Sequence, residues 1–217
     1  MTDDRQITYK SELLRKGIHL MSLSIPFLYA ILSKGQALWL LVPVTLVFVV
    51  IDIVSHRSGR IRTLLIRYFG ELMRSHELQL DRLHLNGASY VLIAACMCVI
   101  VFPKLLAITS FSILIVSDIC AALVGRRFGK HRFLDKSLEG TIAFAVSAIL
   151  VVIVISVHFG LPSSFFVLGL IGSFAGALVE NISPRLHLDD NISIPFSIGV
   201  AMWVLAPLID PALFVLL

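Results

Sequence analysis

"KLLAITSFSILIVSDICAALVGRRFGKHRFLDKSLEGTIAFAVSAIL", residues 104–150, decides the fold. Two apolar runs, 105–124 and 141–160, flank a polar knot holding five cations (Arg126, Arg127, Lys130, Arg132, Lys136), three glycines (Gly125, Gly129, Gly140), Ser137 and Glu139. As a helix, each run of about 20 residues crosses a hydrocarbon core of ~30 Å. Outward from this stretch lie further runs at 17–34, 36–54, 86–102, 164–180 and 193–216, the last interrupted by Pro207 and Pro211. With 58% hydrophobic and 15% charged residues and a mean hydropathy of +0.94, the chain is excluded from the ordinary soluble class. The expectation is an all-α, polytopic membrane protein of about seven transmembrane helices, forming a single integral membrane domain over 1–217. The first run follows Arg15 and Lys16, as in a signal peptide. No small-x-small cleavage site follows it, however, and His19, Ser22 and Ser24 interrupt its core, so it is expected to be retained.

Lysine and arginine placement sets the expected orientation. With the N-terminus in the cytoplasm, the inside segments collect sixteen of the 18 cations, leaving Lys34 and Lys104 outside. The net charge of +4 is therefore a topology signal and gives no reason to expect nucleic-acid binding. The C-terminus is expected on the opposite side. One larger cytoplasmic insertion, 55–85, carries Ile61, Leu64, Leu65, Tyr68, Phe69, Leu72 and Met73 at helical spacing. It reads as an amphipathic helix on the inner leaflet, with Arg62, Arg67 and Arg74 near lipid headgroups. Cys96, Cys98 and Cys120 fall inside runs and make neither a disulfide framework nor a zinc site.

An ionisable residue inside a span is costly and marks a candidate site. Asp118 lies about seven residues, roughly 10 Å, before the end of its run, and two turns before Gly125, so both share a face. A carboxylate there looks into a cavity beneath the basic loop. Asp52 sits nearer a span end and reads more readily as a structural partner; Asp210 reads as a turn residue near the other surface. Within the loop, Gly125 and Gly129 allow close backbone approach, and Arg126, Arg127, Lys130 and Lys136 neutralise a polyphosphate. Ser137 caps the next helix, and Glu139 and Thr141 fall in its first turn, where free N–H groups attract anions. Carboxylates on both sides, Asp118 and Glu139, suit a Mg²⁺ ion bridging phosphates. "ELLRKGIH" puts Glu12, Lys16 and His19 on one helical face. "LNGASY" brings Asn86 and Gly87 to the same compartment, and "VENISPRLHLDDN" brings Glu180, Asn181, Asp189, Asp190 and Asn191. This convergence on one membrane face points to an enzyme site. A small transporter, the non-enzymatic alternative, would spread polar groups and broken helices towards both faces.

"SDICAALVGRRFGKHRFLDKSLEGTIAF" followed by "ENISPRLHLDDNISIP", with "RKGIHL" and "NGASYVL" upstream, resembles the CTP-dependent lipid-alcohol kinases, the family of dolichol kinase, phytol kinase and yeast-type diacylglycerol kinase. The likeness runs from about residue 12 to 200, and its most specific part is the D-x(6)-G-x(3)-GK…KS-x-EG block. The same block is similar to one in phosphatidate cytidylyltransferases. Those enzymes carry a longer S-P-K-K-T-x-E-G stretch and an extended C-terminal signature, both absent here, which favours the kinase. The resemblance implies a nucleotide site of Gly125, Arg126, Gly129, Lys130, Lys136, Ser137, Gly140 and Thr141. It implies catalytic roles for Asp118, Lys136, Glu139 and Glu180, and a substrate side of Lys16, His19, Asn86 and Asn191. Asp118 and Asp190 would hold Mg²⁺, with CTP as phosphoryl donor; either Asp118 or Glu180 would be the general base. The implied acceptor is a polyprenol, a phytol-like isoprenoid or diacylglycerol in the bilayer.

Overall fold

A computed structural model describes residues 9–69, 85–186 and 188–216. The expected class holds: among these residues the protein is a bundle of α-helices with one short β-hairpin. In chain order the helices are α1 (Tyr9–Met21), α2 (Ser24–Ile31), α3 (Lys34–Arg57), α4 (Gly59–Phe69), α5 (Gly87–Val101) and α6 (Lys104–Phe128). The hairpin strands β1 (Arg132–Phe133) and β2 (Lys136–Ser137) follow, then α7 (Leu138–His158), α8 (Ser163–Leu186), α9 (Asp190–Ile209) and α10 (Pro211–Leu216). Five of these, α3, α6, α7, α8 and α9, are long and apolar enough to cross a bilayer, which makes this an integral membrane protein.

Five differs from the expected seven for local reasons. The run 17–34 is not one helix. Pro26 has no N–H to give the Ser22 carbonyl, and the chain turns at Ser22 and Leu23, whose N–H groups donate to His19 O and Leu20 O at 3.0 Å. The run 86–102 yields α5 of 15 residues, roughly 22 Å at 1.5 Å per residue and so shorter than a ~30 Å core. The run 193–216 divides at Asp210, which ends α9 and accepts hydrogen bonds from Ala212 N (3.0 Å) and Leu213 N (3.3 Å) to start α10. The amphipathic helix of the insertion is α4; Leu72, Met73 and Arg74 lie outside the described residues.

Polar caps fix where helices begin. Ser33 and Gln36 form a reciprocal capping box at α3, Asn86 caps α5, Ser137 caps α7 and Asp189 caps α9. Helix α6 is the central post, packed against α7 and α9, with α1, α2, α5 and α8 also touching it. Its most apolar stretch is 61% buried, against 22% for α3, whose remaining surface faces outward. Phe102, Leu106, Ile113, Leu114, Phe144, Ile194, Ile198 and Met202 form the solvent-free centre. Gly199 lets the Phe102 ring lie on the α9 backbone: a Cβ there would fall 2.5 Å from the ring.

The bundle has two unlike ends. At one, Lys34 Nζ donates to Ile100 O (2.7 Å), Lys104 Nζ to Leu32 O (2.9 Å), and Ser164 Oγ to Asp210 (2.7 Å). These contacts tie turns together. The other end gathers α1, the C-terminal turns of α3, α6 and α8, and the N-terminal turns of α5, α7 and α9.

Candidate active site

That second end encloses a cavity of about 350 Å³. Helix α6 supplies Asp118 and runs on to Phe128, so Gly125 and Arg126 are helical where the sequence reading put them in a loop. The loop proper shrinks to the β-hairpin, which turns at Leu134 and Asp135 and delivers Lys136 and Ser137 to the cavity wall. Gly140 and Thr141 come from the first turn of α7, Glu180 from α8, Asp190 from α9, and Lys16 with Arg15 from α1. Ten of the expected site residues thus line one space: Lys16, Asp118, Gly125, Arg126, Lys136, Ser137, Gly140, Thr141, Glu180 and Asp190.

The charges alternate around it. Lys16, 4% exposed, pairs through Nζ with Asp118 Oδ2, and His19 Nε2 stands 3.8 Å from the same oxygen. Lys136 Nζ donates to Glu180 Oε1 at 2.7 Å and lies 3.5 Å from Asp190 Oδ2. Burial works against the Lys136 charge, but the carboxylates of Asp190 and Glu180 outweigh it, and the ammonium is held above the ordinary lysine range. The other oxygen of Glu180, Oε2, is buried with no hydrogen-bond partner among the described residues.

Close approach of α6 to α7 shapes the floor. A Cβ on Gly140 would stand 3.0 Å from Ala121 O and 3.0 Å from Ser137 Oγ, and one on Gly125 would stand 3.0 Å from the same hydroxyl. Ser137 Oγ in turn accepts from Gly140 N at 3.2 Å. Gly129, outside the cavity lining, packs its Cα against Ser137 in the same way.

Six expected residues stand apart from the cavity lining, Gly129 and His19 among them. Glu139 closes the base of the hairpin: its carboxylate accepts from His131 N (3.2 and 3.3 Å) and meets His131 Nδ1 at 2.7 Å. Lys130 is exposed on the loop. Asn191 is buried and donates through Nδ2 to Asp189 Oδ1 at 2.6 Å. Asn86 belongs to a second polar cluster, where its N (2.9 Å) and Nδ2 (2.5 Å), together with Ser89 Oγ (2.6 Å), donate to the Asp52 carboxylate. Sequence reasoning singled out Asn181 only in passing and Asp135 not at all, although both shape the site. Their hydrogen bonds span 46 residues, which no local pattern reveals.

The carboxylates of Asp118, Glu180 and Asp190 all line the cavity, and their hard oxygens suit Mg²⁺. Among the described residues, no group of three or more His, Cys, Asp or Glu could hold an ion by itself. A divalent ion here would need further oxygens from a ligand, the usual habit of Mg²⁺ at phosphates. The donor set fits on that condition.

Over 183 residues the chain is 32% identical to the uncharacterized protein RP860 of Rickettsia prowazekii, an alignment covering 84% of this chain and 89% of that protein. The chain belongs to the same family. Over 95 residues it is also 36% identical to dolichol kinase sec59 of Schizosaccharomyces pombe, covering 43% of this chain and 18% of that protein. The second likeness therefore joins part of the chain to a small part of a dolichol kinase. No family model and no solved structure matches.

Proposed function

We propose that the protein is a kinase that moves the γ-phosphate of CTP onto the hydroxyl of a membrane lipid alcohol: a polyprenol, a phytol-like isoprenoid or diacylglycerol. One observation carries the reading. A single cavity at one end of a membrane bundle collects the carboxylates of Asp118, Glu180 and Asp190 with the cations Lys16, Arg126 and Lys136, in a chain partly similar to a dolichol kinase. Phosphoryl transfer asks a protein for positioning and charge neutralisation above all.

In this reading Lys136 and Arg126 take the phosphate charge, aided by the positive end of the α7 dipole and by Lys130 on the loop outside. Asp118 and Asp190 would hold Mg²⁺, which would supply charge neutralisation at the phosphates. Lys16 and His19 stand on α1, whose Leu14, Ile18 and Met21 are exposed. An outward apolar face puts this helix against lipid, so the alcohol reaches the cavity beneath it. Glu180 is the general base: Oε1 is engaged by Lys136 and Oε2 is unpartnered, whereas Asp118 Oδ2 is held by Lys16. The alcohol oxygen forms a bond to the γ-phosphorus as its proton passes to Glu180. The bond from that phosphorus to the β,γ-bridging oxygen breaks, and CDP leaves with the electron pair. The α1–α2 pair and α5 complete seven passages of the chain between the two ends. The cation bias places the N-terminus and the site in the cytoplasm and the C-terminus opposite.

The test uses purified full-length protein, Mg²⁺, and CTP labelled at the α- or the γ-phosphate, with a panel of isoprenoid alcohols, diacylglycerol and phosphatidate. The expected result is γ-label on an alcohol with α-label left in water. α-Label moving into phosphatidate-derived lipid would make the protein a cytidylyltransferase. Transfer of neither label would remove the enzymatic reading.

A further inference from the structure

Lys136 is the one cavity cation carried by a hairpin, and each strand of that hairpin has only two residues. A two-stranded ribbon this short has little stability of its own. Something else must hold the ammonium between Glu180 and Asp190. The surroundings show what does. Asn181 on α8 is fully buried and uses both ends of its amide. Its Oδ1 accepts from Asp135 N at 3.0 Å, and its Nδ2 donates to Thr141 Oγ1 at 2.7 Å. Thr141 Oγ1 passes the link on, donating to Ser137 O at 3.1 Å. The residues immediately before and after Lys136 are therefore tied to one side chain, and that side chain is the sequence neighbour of Glu180, the partner of Lys136. On the outside Arg185 Nε stands 2.6 Å from Asp135 Oδ2, adding a second hold on the turn.

We propose that Asn181 is a positioning residue that fixes Lys136 in the cavity by bracing its two flanking residues, and so sets the affinity of the site for the phosphates of its nucleotide. The phosphate part rests on the kinase reading; the brace itself does not. An amide suits the task because it offers an acceptor to a backbone N–H and a donor to a hydroxyl with no buried charge. Leucine has the same branched heavy-atom skeleton, though it is bulkier, and offers neither. In Asn181→Leu the Asp135 N–H and the Thr141 hydroxyl lose their partner, and the hairpin is free to lift Lys136 off the α8 carboxylate.

Two measurements on the full-length protein separate the brace from the reaction. The first is amine acylation followed by mass spectrometry, reading Lys136 against the exposed Lys130 of the same loop, with no nucleotide present. In the native protein Lys136 should label several-fold more slowly than Lys130. In Asn181→Leu it should approach the Lys130 rate, while Lys16 on the far wall stays protected. The second is steady-state kinetics with CTP and the best lipid alcohol. KM for CTP should rise by about tenfold or more, with a smaller change in kcat, as expected when ground-state binding is lost. Should Asn181→Leu expose all lysines alike, it has unfolded, and Thr141→Val decides. That variant removes only the hydroxyl arm, and it should raise Lys136 labelling by an intermediate amount. Unchanged Lys136 labelling in a folded Asn181→Leu, or in Thr141→Val where the first variant unfolds, overturns the brace. So does a native Lys136 that labels as fast as Lys130. A native protein that transfers no phosphate from CTP overturns the kinase reading, and the labelling result still stands on its own.

Discussion

Two aspartates sit near the same end of the bundle and live differently. Asp52 is 4% exposed, and among the described residues its carboxylate accepts from neutral donors: Asn86 N, Asn86 Nδ2 and Ser89 Oγ. It lies outside the lining of the cavity described above. Asp118 meets the Lys16 ammonium, with the His19 imidazole 3.8 Å away, and opens onto about 350 Å³. A carboxylate saturated by short bonds from one neighbouring helix is a fastener between α3 and α5. A carboxylate balanced against ammonium groups beside open space can exchange partners when a charged ligand arrives. Burial alone does not separate the two; the kind of partner and the space beside it do.

The largest effect should follow Asp118→Asn. The amide keeps an oxygen for Lys16, and the cavity can hydrate what is left, so thermal stability in detergent should fall little. Turnover should fall by about a hundredfold to a thousandfold, the range for losing one electrostatic contact at the reacting charge. Near-normal turnover would place Asp118 with Asp52 among the fasteners.

Asp52→Ala should do the reverse. Three donors lose their acceptor in a dry setting, a loss of about 2–4 kcal/mol, read as a lowered unfolding midpoint. Turnover per folded molecule should stay within about twofold of the parent if Asp52 acts only by fastening helices. Lost turnover at an unchanged midpoint would bring Asp52 and Asn86 back into the site, where the family resemblance puts Asn86.

This contrast shows what a sequence reveals and what it withholds. The Asp118-to-Gly140 block was legible because its parts are close in the chain and helical spacing sets which face they share. The Ser137 cap was legible because capping is a matter of three residues. The ion pair of Lys16 with Asp118 was not, since the partners are 102 residues apart and periodicity names a face without naming its neighbour. Glu139 read as a metal or catalytic residue because it sits at a helix start between cations; its bond to His131 exists only once the hairpin folds back. Arg126 and Gly125 read as loop because charge ended the apolar run, yet α6 runs on for one more turn, where the helix leaves the bilayer and polar side chains cost nothing. The first run read as one span because hydropathy averages over Pro26, whose missing N–H divides it.

A smaller effect should come from the α6–α7 crossing under the site. Gly140→Ala would bring a methyl to 3.0 Å from Ala121 O and 3.0 Å from Ser137 Oγ. The two helices must part by tenths of an ångström, at a cost of about 1–3 kcal/mol. Ser137→Ala removes the α7 cap and should cost about 1 kcal/mol. Because both residues also line the cavity, each should raise KM for nucleotide beyond its effect on the unfolding midpoint. Equal small losses in both readouts would mean that the floor is scaffold alone.

The smallest expected effect is a flat line, and it probes the charged side of the comparison. Lys136 is held above its ordinary value of 10.5 because Asp190 and Glu180 outweigh the cost of burial. A group raised on folding contributes stability that is fully present below the unfolded value and is lost as pH climbs through the folded one. The stability difference between the native protein and Lys136→Met should therefore stay constant from about pH 7 to about pH 10, and decline only beyond. Thermal unfolding of the two proteins in matched detergent, across that range, measures it. If the difference instead grows as pH climbs from about 7 to about 10, the folded chain binds the proton less well than the unfolded one, and burial has won over the carboxylates. Lys136 would then hold its proton less firmly in the folded protein than in the unfolded chain and would be a weaker neutraliser of phosphate. A constant difference keeps it a standing positive charge, as the alternating ring of Lys16, Asp118, Lys136, Glu180 and Asp190 requires.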